Sequence, residues 1–351
     1  HAGGGARQHG VLRRLEPGRA DDATDAHGRG GFDVGDRGRG HGEVDEDVRA
    51  GEGLLAVGAD HDPELAAAGH HVQILTRQPA TSARAASARP HERLTWTPDG
   101  TANGPWASTC SGADLIVNLA GESIAAGRWT AARKAMLRNS RVLPTRSLAQ
   151  AIARAAQPPA ALVSASAIGY YGDRSGDTLT EGSGPGQDFL AALSMEWERE
   201  ALAAEATGTR VVLLRTGIVL DPREGALAKM VPPFRLFAGG PFGSGRQYMS
   251  WIHRDDWVSL AKWAIETPAA RGPLNLTAPN PVTNADFARA LGRALHRPAF
   301  IPAPRFALAL MLGEMAGPLL FHSQRVLPAK ALDGGFRFTF PNLDAALASL
   351  L

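Results

Sequence analysis

The sequence predicts an α/β protein built around a doubly wound parallel sheet, with a smaller C-terminal substrate lobe. Between residues 54 and 220, short apolar segments typical of strands alternate with longer segments of helical periodicity. From residue 231 the chain becomes rich in Pro, Gly and aromatic residues, which favours loops and short strands that cover a substrate. This alternation and this change of character are the observations that predict the fold class.

The N-terminal segment, residues 1–53, does not fit that pattern. Residues 1–60 contain 15 of the 40 glycines and show neither a helical nor a strand period. The segment has too few apolar residues to offset the entropy of ordering, so we expect it to be disordered. A further hypothesis, which we favour, is that the segment is out of frame, because enrichment in Gly, Arg, Ala, Asp and His is typical of GC-rich DNA translated in the wrong frame.

The first half of the ordered chain predicts strands separated by helices. A possible first strand at 54–57 is followed by a helix from Pro63, and then by a strand at 71–76 that ends in Arg77. The later elements are a buried strand at 113–121, a basic amphipathic helix at 130–156, a strand at 161–166, a helix at 188–206 and a strand at 210–220.

The second half contains the lobe and elements that return to the sheet. A loop-rich segment at 231–253 precedes a helix at 255–267, which we expect Asp255 to cap. The remaining elements are a strand at 273–277, an amphipathic helix at 283–295, a helical hairpin from residue 304 and a final helix at 343–351.

Composition and charge exclude several classes of protein. The formal net charge is +2, so no global charge favours nucleic acid or an anionic membrane as a partner. The single cysteine, Cys110, excludes an intrachain disulfide framework and suits a reducing compartment, so we expect a cytoplasmic protein. No apolar run is long enough to span a bilayer, and no spacing of His, Asp or Glu predicts a metal site.

The stretch ALVSASAIGYYG at 161–172 is the leading candidate for a functional site. An apolar strand runs into Ser164 and Ser166, and Tyr170 and Tyr171 follow between two glycines. In an open α/β sheet these hydroxyls would lie at the carboxyl edge, where ligands bind. The structural alternative is that they only cap the turn after a buried strand. The agreement of several other segments with one fold favours the functional interpretation.

Six segments, in this order, carry a resemblance to a known family. They are NLAGESIAAGRW (118–129), SASAIGYYG (164–172), LRTGIVL (214–220), GGPFGSGRQYMSWIHRDD (239–256), NLTAPNPVTNADFARALGRALHRP (275–298) and QRVLPAKALDGGFRF (324–338). The chain from about residue 63 resembles the extended branch of the short-chain dehydrogenase/reductase superfamily. More narrowly, it is similar to the atypical epimerase family proteins that carry a C-terminal domain of unknown function.

The resemblance implies a Rossmann domain at 54–230 that binds a nicotinamide cofactor, with part of 251–280 returning to it. Residues 231–303 would form the substrate lobe with returning elements, and 304–351 the C-terminal helical domain of unknown function. The expected cofactor-binding residues are Gly58, Arg77, Asn118, Leu119, Ala120, Gly121, Ser164 and Arg215. An acidic residue at the position of Arg77 would hold the ribose of NAD, whereas an arginine accommodates the 2′-phosphate, so we expect NADP rather than NAD.

The chain departs from the superfamily in the phosphate-binding turn. The fold needs glycines between the first strand and helix so that backbone amides hold the pyrophosphate. Gly58 is present, but Asp60 and Asp62 put negative charge where the phosphates would lie. Losing several such hydrogen bonds, at ~1.5–3 kcal/mol each, would weaken cofactor binding by orders of magnitude.

A second departure concerns the usual acid/base pair, a Tyr followed four residues later by a Lys. No such pair occurs, and Phe189 and Leu193 stand where it belongs. The candidate catalytic residues are therefore Ser166 with Tyr170 or Tyr171. A phenol unaided by a cation has a pKa near ~10, a poor match to neutral pH.

The expected substrate-binding residues are Arg246 and His253. Arg246 lies in a glycine-rich loop and would contact an anionic group of the substrate. His253, in the segment SWIHRDD, has a structural alternative in which it bonds to the backbone. Either residue, or Arg215, could also assist the tyrosine.

Three functions stay open on the sequence. The first is an NADP(H)-dependent oxidoreductase or epimerase-like enzyme that acts on a small molecule, as a monomer or homodimer. The second is a non-catalytic regulatory protein that binds the nucleotide cofactor, which the missing Tyr and Lys favour. The third is an inactive copy that lacks the glycine-rich phosphate loop.

Overall fold

The computed structural model describes residues 71–77 and 92–351, together with the backbone alone at 53–57 and at Glu92. The expected cofactor residue Gly58 and the helix expected from Pro63 lie outside these residues. The segment expected to be disordered or out of frame, 1–53, also lies outside them except for the backbone of Gly53.

Thirteen strands and eight helices occur in the described part of the chain. The strands are β1 (Gly53–Val57), β2 (His71–Thr76), β3 (Glu92–Thr95), β4 (Leu115–Asn118), β5 (Ala161–Ala167), β6 (Thr178–Leu179), β7 (Arg210–Thr216), β8 (Ile218–Leu220), β9 (Tyr248–Met249), β10 (Trp251–His253), β11 (Gly272–Leu276), β12 (Val282–Thr283) and β13 (Arg325–Val326). The helices are α1 (Ala131–Arg154), α2 (Phe189–Leu202), α3 (Gly225–Arg235), α4 (Arg254–Glu266), α5 (Asn284–Leu295), α6 (Arg305–Leu312), α7 (Ala329–Asp333) and α8 (Leu343–Leu350).

Seven strands form one parallel sheet in the order β11-β7-β5-β4-β1-β2-β3. The order reverses between β1 and β4, because the chain first builds outward to β3 and then continues on the other side of β1. Ligands of open α/β sheets bind outside the carboxyl ends of the strands at such a reversal. The predicted doubly wound sheet is confirmed, and a ligand-binding site is expected at its carboxyl edge.

Apolar layers cover both faces of the central strands. On one face, α1 and α2 pack against the sheet around Leu148, Leu162 and Leu213. On the other face, α4 packs through Leu260 against Val163 and other strand residues. Because both faces are buried, these strands are continuous apolar runs in the sequence instead of alternating ones.

The C-terminal lobe has a core of its own, centred on Trp251 and Phe287, which are both fully buried. Helices α5 and α8 pack together there. Strand β10 pairs in parallel with β8 in a separate two-stranded sheet, and β8 follows directly after β7 in the chain.

The predicted strand at 210–220 is divided at Gly217. The amide of Gly217 donates to Leu276 of β11 at 3.1 Å, whereas the next amide, of Ile218, donates to Ser250 at 2.9 Å. A Cβ atom on Gly217 would lie 2.7 Å from the carbonyl oxygen of Ser250. The close approach requires glycine, and it directs the chain out of the sheet.

Two helix predictions in the second half are also corrected. Helix α4 begins at Arg254, and its cap is His253, not Asp255. The region after residue 304 is not a helical hairpin: α6 is followed by short helical turns at Gly313–Met315 and Gly317–Phe321, and then by β13. None of the helices in the described residues is both long enough and apolar enough to cross a membrane.

Candidate functional site

Three polar side chains form a row across the carboxyl edge of the sheet. The register pairs Ser166 of β5 with Arg215 of β7, and Arg215 with Asn275 of β11. Paired positions of neighbouring strands lie on one face of a sheet, here the face that α2 covers. The exposed fractions of the three residues are 4%, 2% and 0%. A buried polar row needs internal partners, and α2 supplies the first of them.

Arg215 and Glu198 of α2 form a buried ion pair over this row. Nε and Nη2 of Arg215 donate to the two carboxylate oxygens of Glu198, each at 2.8 Å. The hydroxyl of Ser166 donates to the same carboxylate at 2.6 Å. Burial by itself lowers the pKa of Arg215, but the hydrogen bonds and charge of Glu198 outweigh it and raise that pKa above its ordinary value. Arg215 is therefore a permanent cation at the edge of the sheet.

Tyr171 is locked inside this network. Its hydroxyl donates to Oδ1 of Asn275 at 2.7 Å and accepts from Nη1 of Arg215 at 3.1 Å. The side chain is fully buried, and burial raises the pKa of Tyr171 although Arg215 opposes the rise. In this structure the Tyr171 hydroxyl holds the network together, and its expected catalytic role stays a prediction.

Tyr170 lies on the outer side of the same turn and is only half-buried. The guanidinium carbon of Arg215 lies 3.5 Å from the centroid of its ring, a cation–π contact. Within the described residues, the Tyr170 hydroxyl makes no hydrogen bond to another side chain or to the backbone. Tyr170 is therefore the less buried tyrosine of this turn.

A second polar group lies at the end of β4. Nδ2 of Asn118 donates to Thr145 at 2.8 Å and to Ser164 at 3.2 Å, and the amide of Ala120 donates to Oδ1 of Asn118 at 3.3 Å. Asn118 and Ser164 are both fully buried. Their side chains fix the end of β4, and the cofactor contacts expected from the sequence at Asn118 and Ser164 stay predictions.

The backbone of 119–121 is what this loop presents to a ligand. Leu119 and Ala120 are half-buried, and Gly121 is exposed. A Cβ atom on Gly121 would lie 3.2 Å from Cζ of Arg141, whose Nη2 donates to the carbonyl of Glu122 at 2.9 Å. The backbone of Gly121 therefore packs against the Arg141 guanidinium, which also holds the carbonyl of Glu122.

Arg77 follows β2 at the same edge, and its side chain is 68% exposed. Its Nη2 lies 3.2 Å from Oε1 of Glu122, so the segments that follow β2 and β4 are in contact through these side chains. An exposed pair of this kind contributes only ~0–1 kcal/mol. The Arg77 guanidinium can therefore exchange Glu122 for a stronger anion at little cost.

The two expected substrate-binding residues lie in different surroundings. Arg246 is exposed in the turn between Gly245 and Gln247. His253 is 1% exposed: Nδ1 accepts the amide of Asp255 at 3.1 Å, and Nε2 lies 3.2 Å from the hydroxyl of Ser349 on α8. Both ring nitrogens are engaged within the fold, as the structural alternative for His253 predicts, and its expected substrate contact stays a prediction.

Comparison with known proteins assigns the chain to a family. A model described as the NAD dependent epimerase/dehydratase family matches residues 56–276. The chain belongs to that family. A second model, a domain of unknown function (DUF1731), matches residues 303–350. The resemblance recognised in the sequence is confirmed, including its C-terminal domain.

Relatives of the same kind match over most of their length. Epimerase family protein Mb2239 of Mycobacterium bovis is 41% identical over 292 residues, which cover 83% of this chain and 93% of the relative. Epimerase family protein YfhF of Bacillus subtilis is 39% identical over 284 residues, 81% of this chain and 90% of the relative. The crystal structure of human epimerase family protein SDR39U1 (isoform 2) with NADPH has a TM-score of 0.74 at 34% identity, and covers 85% of this chain and 98% of the human one.

In this member of the family, an apolar contact occupies the place of the missing Tyr-x-x-x-Lys pair. Phe189 of α2 packs edge-on against Trp129, with ring centroids 5.3 Å apart. Met315 and Leu312 of the C-terminal domain belong to the same cluster. Phe189 is therefore a packing residue.

Sequence reasoning missed Glu198, Asn275 and Arg141. Glu198 lies eight residues after Leu190 on the face of α2 that packs on the sheet, so helical periodicity would have flagged it as a buried charge. Asn275 became visible only through the pairing of β7 with β11. Arg141 acts through a backbone contact, for which the sequence has no signal.

Proposed function

We propose that this protein binds NADP(H) at the carboxyl edge of its sheet and transfers hydride to or from a small carbonyl or alcohol substrate. The observation that carries the proposal is the exposed Arg77 at the end of β2, beside the open backbone of 119–121. The human relative crystallised with NADPH supports the same cofactor.

The residues present fit the adenosine half of NADP(H). A 2′-phosphate carries more charge than a carboxylate and accepts charge-assisted hydrogen bonds from a guanidinium. The 2′-phosphate would replace Glu122 as the partner of the Arg77 guanidinium. The exposed Gly121, which has no Cβ, lets a ribose approach the backbone over Arg141.

Tyr170 is the proposed proton donor and acceptor for the substrate oxygen. A bound nicotinamide would supply or accept the hydride. The cation of Arg215, 3.5 Å from the ring of Tyr170, takes the place that lysine has in the superfamily. The Ser166 hydroxyl donates its hydrogen bond to Glu198, so toward a ligand it would act as an acceptor.

A second candidate is a protein that binds the cofactor without hydride chemistry. One observation favours it: the hydroxyls of Ser166 and Tyr171 both make hydrogen bonds inside the network. Of the three candidate catalytic residues, only Tyr170 then has a hydroxyl without such a partner in the described residues. The two candidates differ in turnover and share the binding step.

The binding step is tested by the variant Arg77→Ser, with Arg246→Ser as the matched control for loss of one exposed arginine. We expect Arg77→Ser to lose at least about tenfold in NADPH affinity and little in NADH affinity, because only NADPH carries the 2′-phosphate. Equal losses in both variants would refute the assignment of Arg77.

The chemical step is tested by NADPH oxidation with a panel of aldehydes and ketones. We expect Tyr170→Phe to reduce kcat by about 10²-fold or more, the usual contribution of a general acid. The control Tyr248→Phe removes another half-buried tyrosine hydroxyl, from a ring that also has an arginine, Arg325, over it at 5.2 Å. Binding of NADPH without turnover of any carbonyl would favour the second candidate.

A further inference from the structure

The C-terminal domain of unknown function contacts the turn that carries both tyrosines. This turn, Ile168–Tyr171, is a single 3₁₀ turn with no side-chain cap at its start. Nε2 of Gln324 donates to the carbonyl of Ile168 at 3.1 Å and to the carbonyl of Gly172 at 3.0 Å. These carbonyls lie at the two ends of the turn, so one amide group from the C-terminal domain joins both ends.

The backbone of Gln324 is itself fixed on both sides. Its amide donates to the carbonyl of Tyr248 at 3.2 Å, and its carbonyl accepts the hydroxyl of Ser250 at 2.7 Å. A side chain that extends from an anchored backbone loses less conformational entropy when it bonds than one on a free loop. Gln324 therefore fixes the tyrosine turn relative to the strands that hold the Gln324 backbone.

The residues just before Gln324 bind the loop that leaves the turn. Nδ1 of His322 lies 3.2 Å from the carboxylate of Asp188, the N-cap residue of α2. The amide of Ser323 donates to Asp173 at 3.0 Å, and the amide of Arg174 donates to the carbonyl of Ser323 at 3.1 Å. The hydrogen bonds of Gln324 therefore belong to a continuous interface. Losing the Gln324 side chain would leave the neighbouring contacts in place, so we expect its effect at the turn first.

Apart from its two tyrosines, the turn has no polar side chain that could replace Gln324. Its first two residues are Ile168 and Gly169, and it ends at Gly172, whose φ of +65° favours glycine. Gly172 also lies against Gly186, where a Cβ atom would come within 2.6 Å of Cα of Gly172. The two carbonyls that Gln324 satisfies would lose their side-chain donor if it were absent.

From this geometry we infer that Gln324 is a positioning residue: it holds the tyrosine turn so that Tyr170 stacks on Arg215 and presents its hydroxyl at the sheet edge. The C-terminal domain thereby completes the candidate site that the missing Tyr-x-x-x-Lys pair leaves open. The inference rests on the proposed function only where it takes Tyr170 as the proton donor; the stacked position of Tyr170 stands on the geometry alone.

The experiment compares Gln324→Leu with the matched control Gln247→Leu. Nε2 of Gln247 also donates to two carbonyls, of Phe242 at 3.1 Å and of Leu320 at 2.9 Å. The second of these belongs to the C-terminal domain, but neither belongs to the tyrosine turn. Both variants lose the same kind of hydrogen bonds, so a general loss of stability affects both, and only a positioning role separates them.

The first readout is nitration of Tyr170 by tetranitromethane, located by mass spectrometry in the full chain without cofactor. We expect the nitration rate of Tyr170 to rise about tenfold in Gln324→Leu, the change expected from losing hydrogen bonds that hold a local structure closed. The rate should stay at the wild-type value in Gln247→Leu. Equal rates in the two variants would overturn the inference. Should Gln324→Leu fail to fold, Gln324→Glu preserves the shape, replaces the donor with an acceptor, and is judged by the same criterion.

The second readout is NADPH titration followed by nicotinamide emission. We expect Gln324→Leu to retain the wild-type NADPH affinity, which Arg77 governs, while the increase in nicotinamide emission on binding falls. Gln247→Leu should retain both. Failure of the wild-type chain to bind NADPH would refute the proposed function, and the nitration rates would still decide the role of Gln324.

Discussion

Replacing Glu198 with leucine removes the carboxylate that balances a buried cation. The side chains of Arg215 and Glu198 are 3% and 7% exposed, and Nε and Nη2 of Arg215 lie 2.8 Å from the carboxylate oxygens. In Glu198→Leu, Arg215 would remain charged in a site shielded from water, and the hydroxyl of Ser166 would lose its acceptor. Breaking a buried pair on one side costs ~3–5 kcal/mol, a large share of the ~5–15 kcal/mol by which a domain is stable.

The control for this change lies on the same helix. Glu196 of α2 pairs with Arg138, but these side chains are 20% and 45% exposed. Because exposed pairs contribute ~0–1 kcal/mol, Glu196→Leu should cost far less, with the same change of residue type. The double variant Glu198→Leu/Arg215→Met replaces the whole pair with apolar groups and should recover much of the loss.

The assay is urea unfolding at neutral pH, followed by far-UV circular dichroism. We expect the free energy of unfolding to fall by ~3–5 kcal/mol in Glu198→Leu and by at most ~1 kcal/mol in Glu196→Leu. Equal losses in the two variants, or a double variant less stable than Glu198→Leu alone, would refute the reasoning that an enclosed ion pair organises the sheet edge.

Three further predictions concern individual buried groups. Tyr171→Phe should lower the free energy of unfolding in urea by ~1–3 kcal/mol, because it leaves Oδ1 of Asn275 without its donor, whereas Tyr170→Phe should lower it by less than about 0.5 kcal/mol. The reverse order would contradict the assignment of the two tyrosines. Burial lowers the pKa of His253 below its usual 6.5, so the unfolded chain binds a proton more readily than the folded one, and the free energy of unfolding should fall as the pH drops through 6.5. The variant His253→Asn should flatten that dependence between pH 7 and 5, and an unchanged slope would contradict the prediction. Burial raises the pKa of the Cys110 thiol to about 12, so it should react with a disulfide reagent only after unfolding, and rapid reaction of the folded chain would contradict its burial.

The sheet could be predicted from the sequence because its strands are buried on both faces. Apolar runs such as 113–121 and 210–220 carry that signal directly. The end of a strand is harder to place: the break at Gly217 depends on the carbonyl of Ser250, more than thirty residues away, and no local pattern contains it. The cap of α4 was misassigned for a related reason, because Asp255 is the more usual capping residue and only the geometry shows that His253 accepts its amide.

The candidate site was predicted in its location but not in its roles. The stretch 161–172 does lie at the carboxyl edge, where strand order places it. Which hydroxyl faces a ligand depends on partners from distant segments: Glu198 accepts a hydrogen bond from the Ser166 hydroxyl, and Asn275 accepts one from the Tyr171 hydroxyl. Such partners are set by strand register and helix packing, which a single sequence does not reveal.

The most direct test of the account is an equilibrium titration of the purified full chain with NADPH and with NADH, at one fixed salt concentration. The account predicts that NADPH binds at least about tenfold more tightly than NADH, because Arg77 meets the 2′-phosphate. Equal affinity for the two cofactors would contradict the role of Arg77, and binding of neither would contradict the assignment of the sheet edge as a nicotinamide cofactor site.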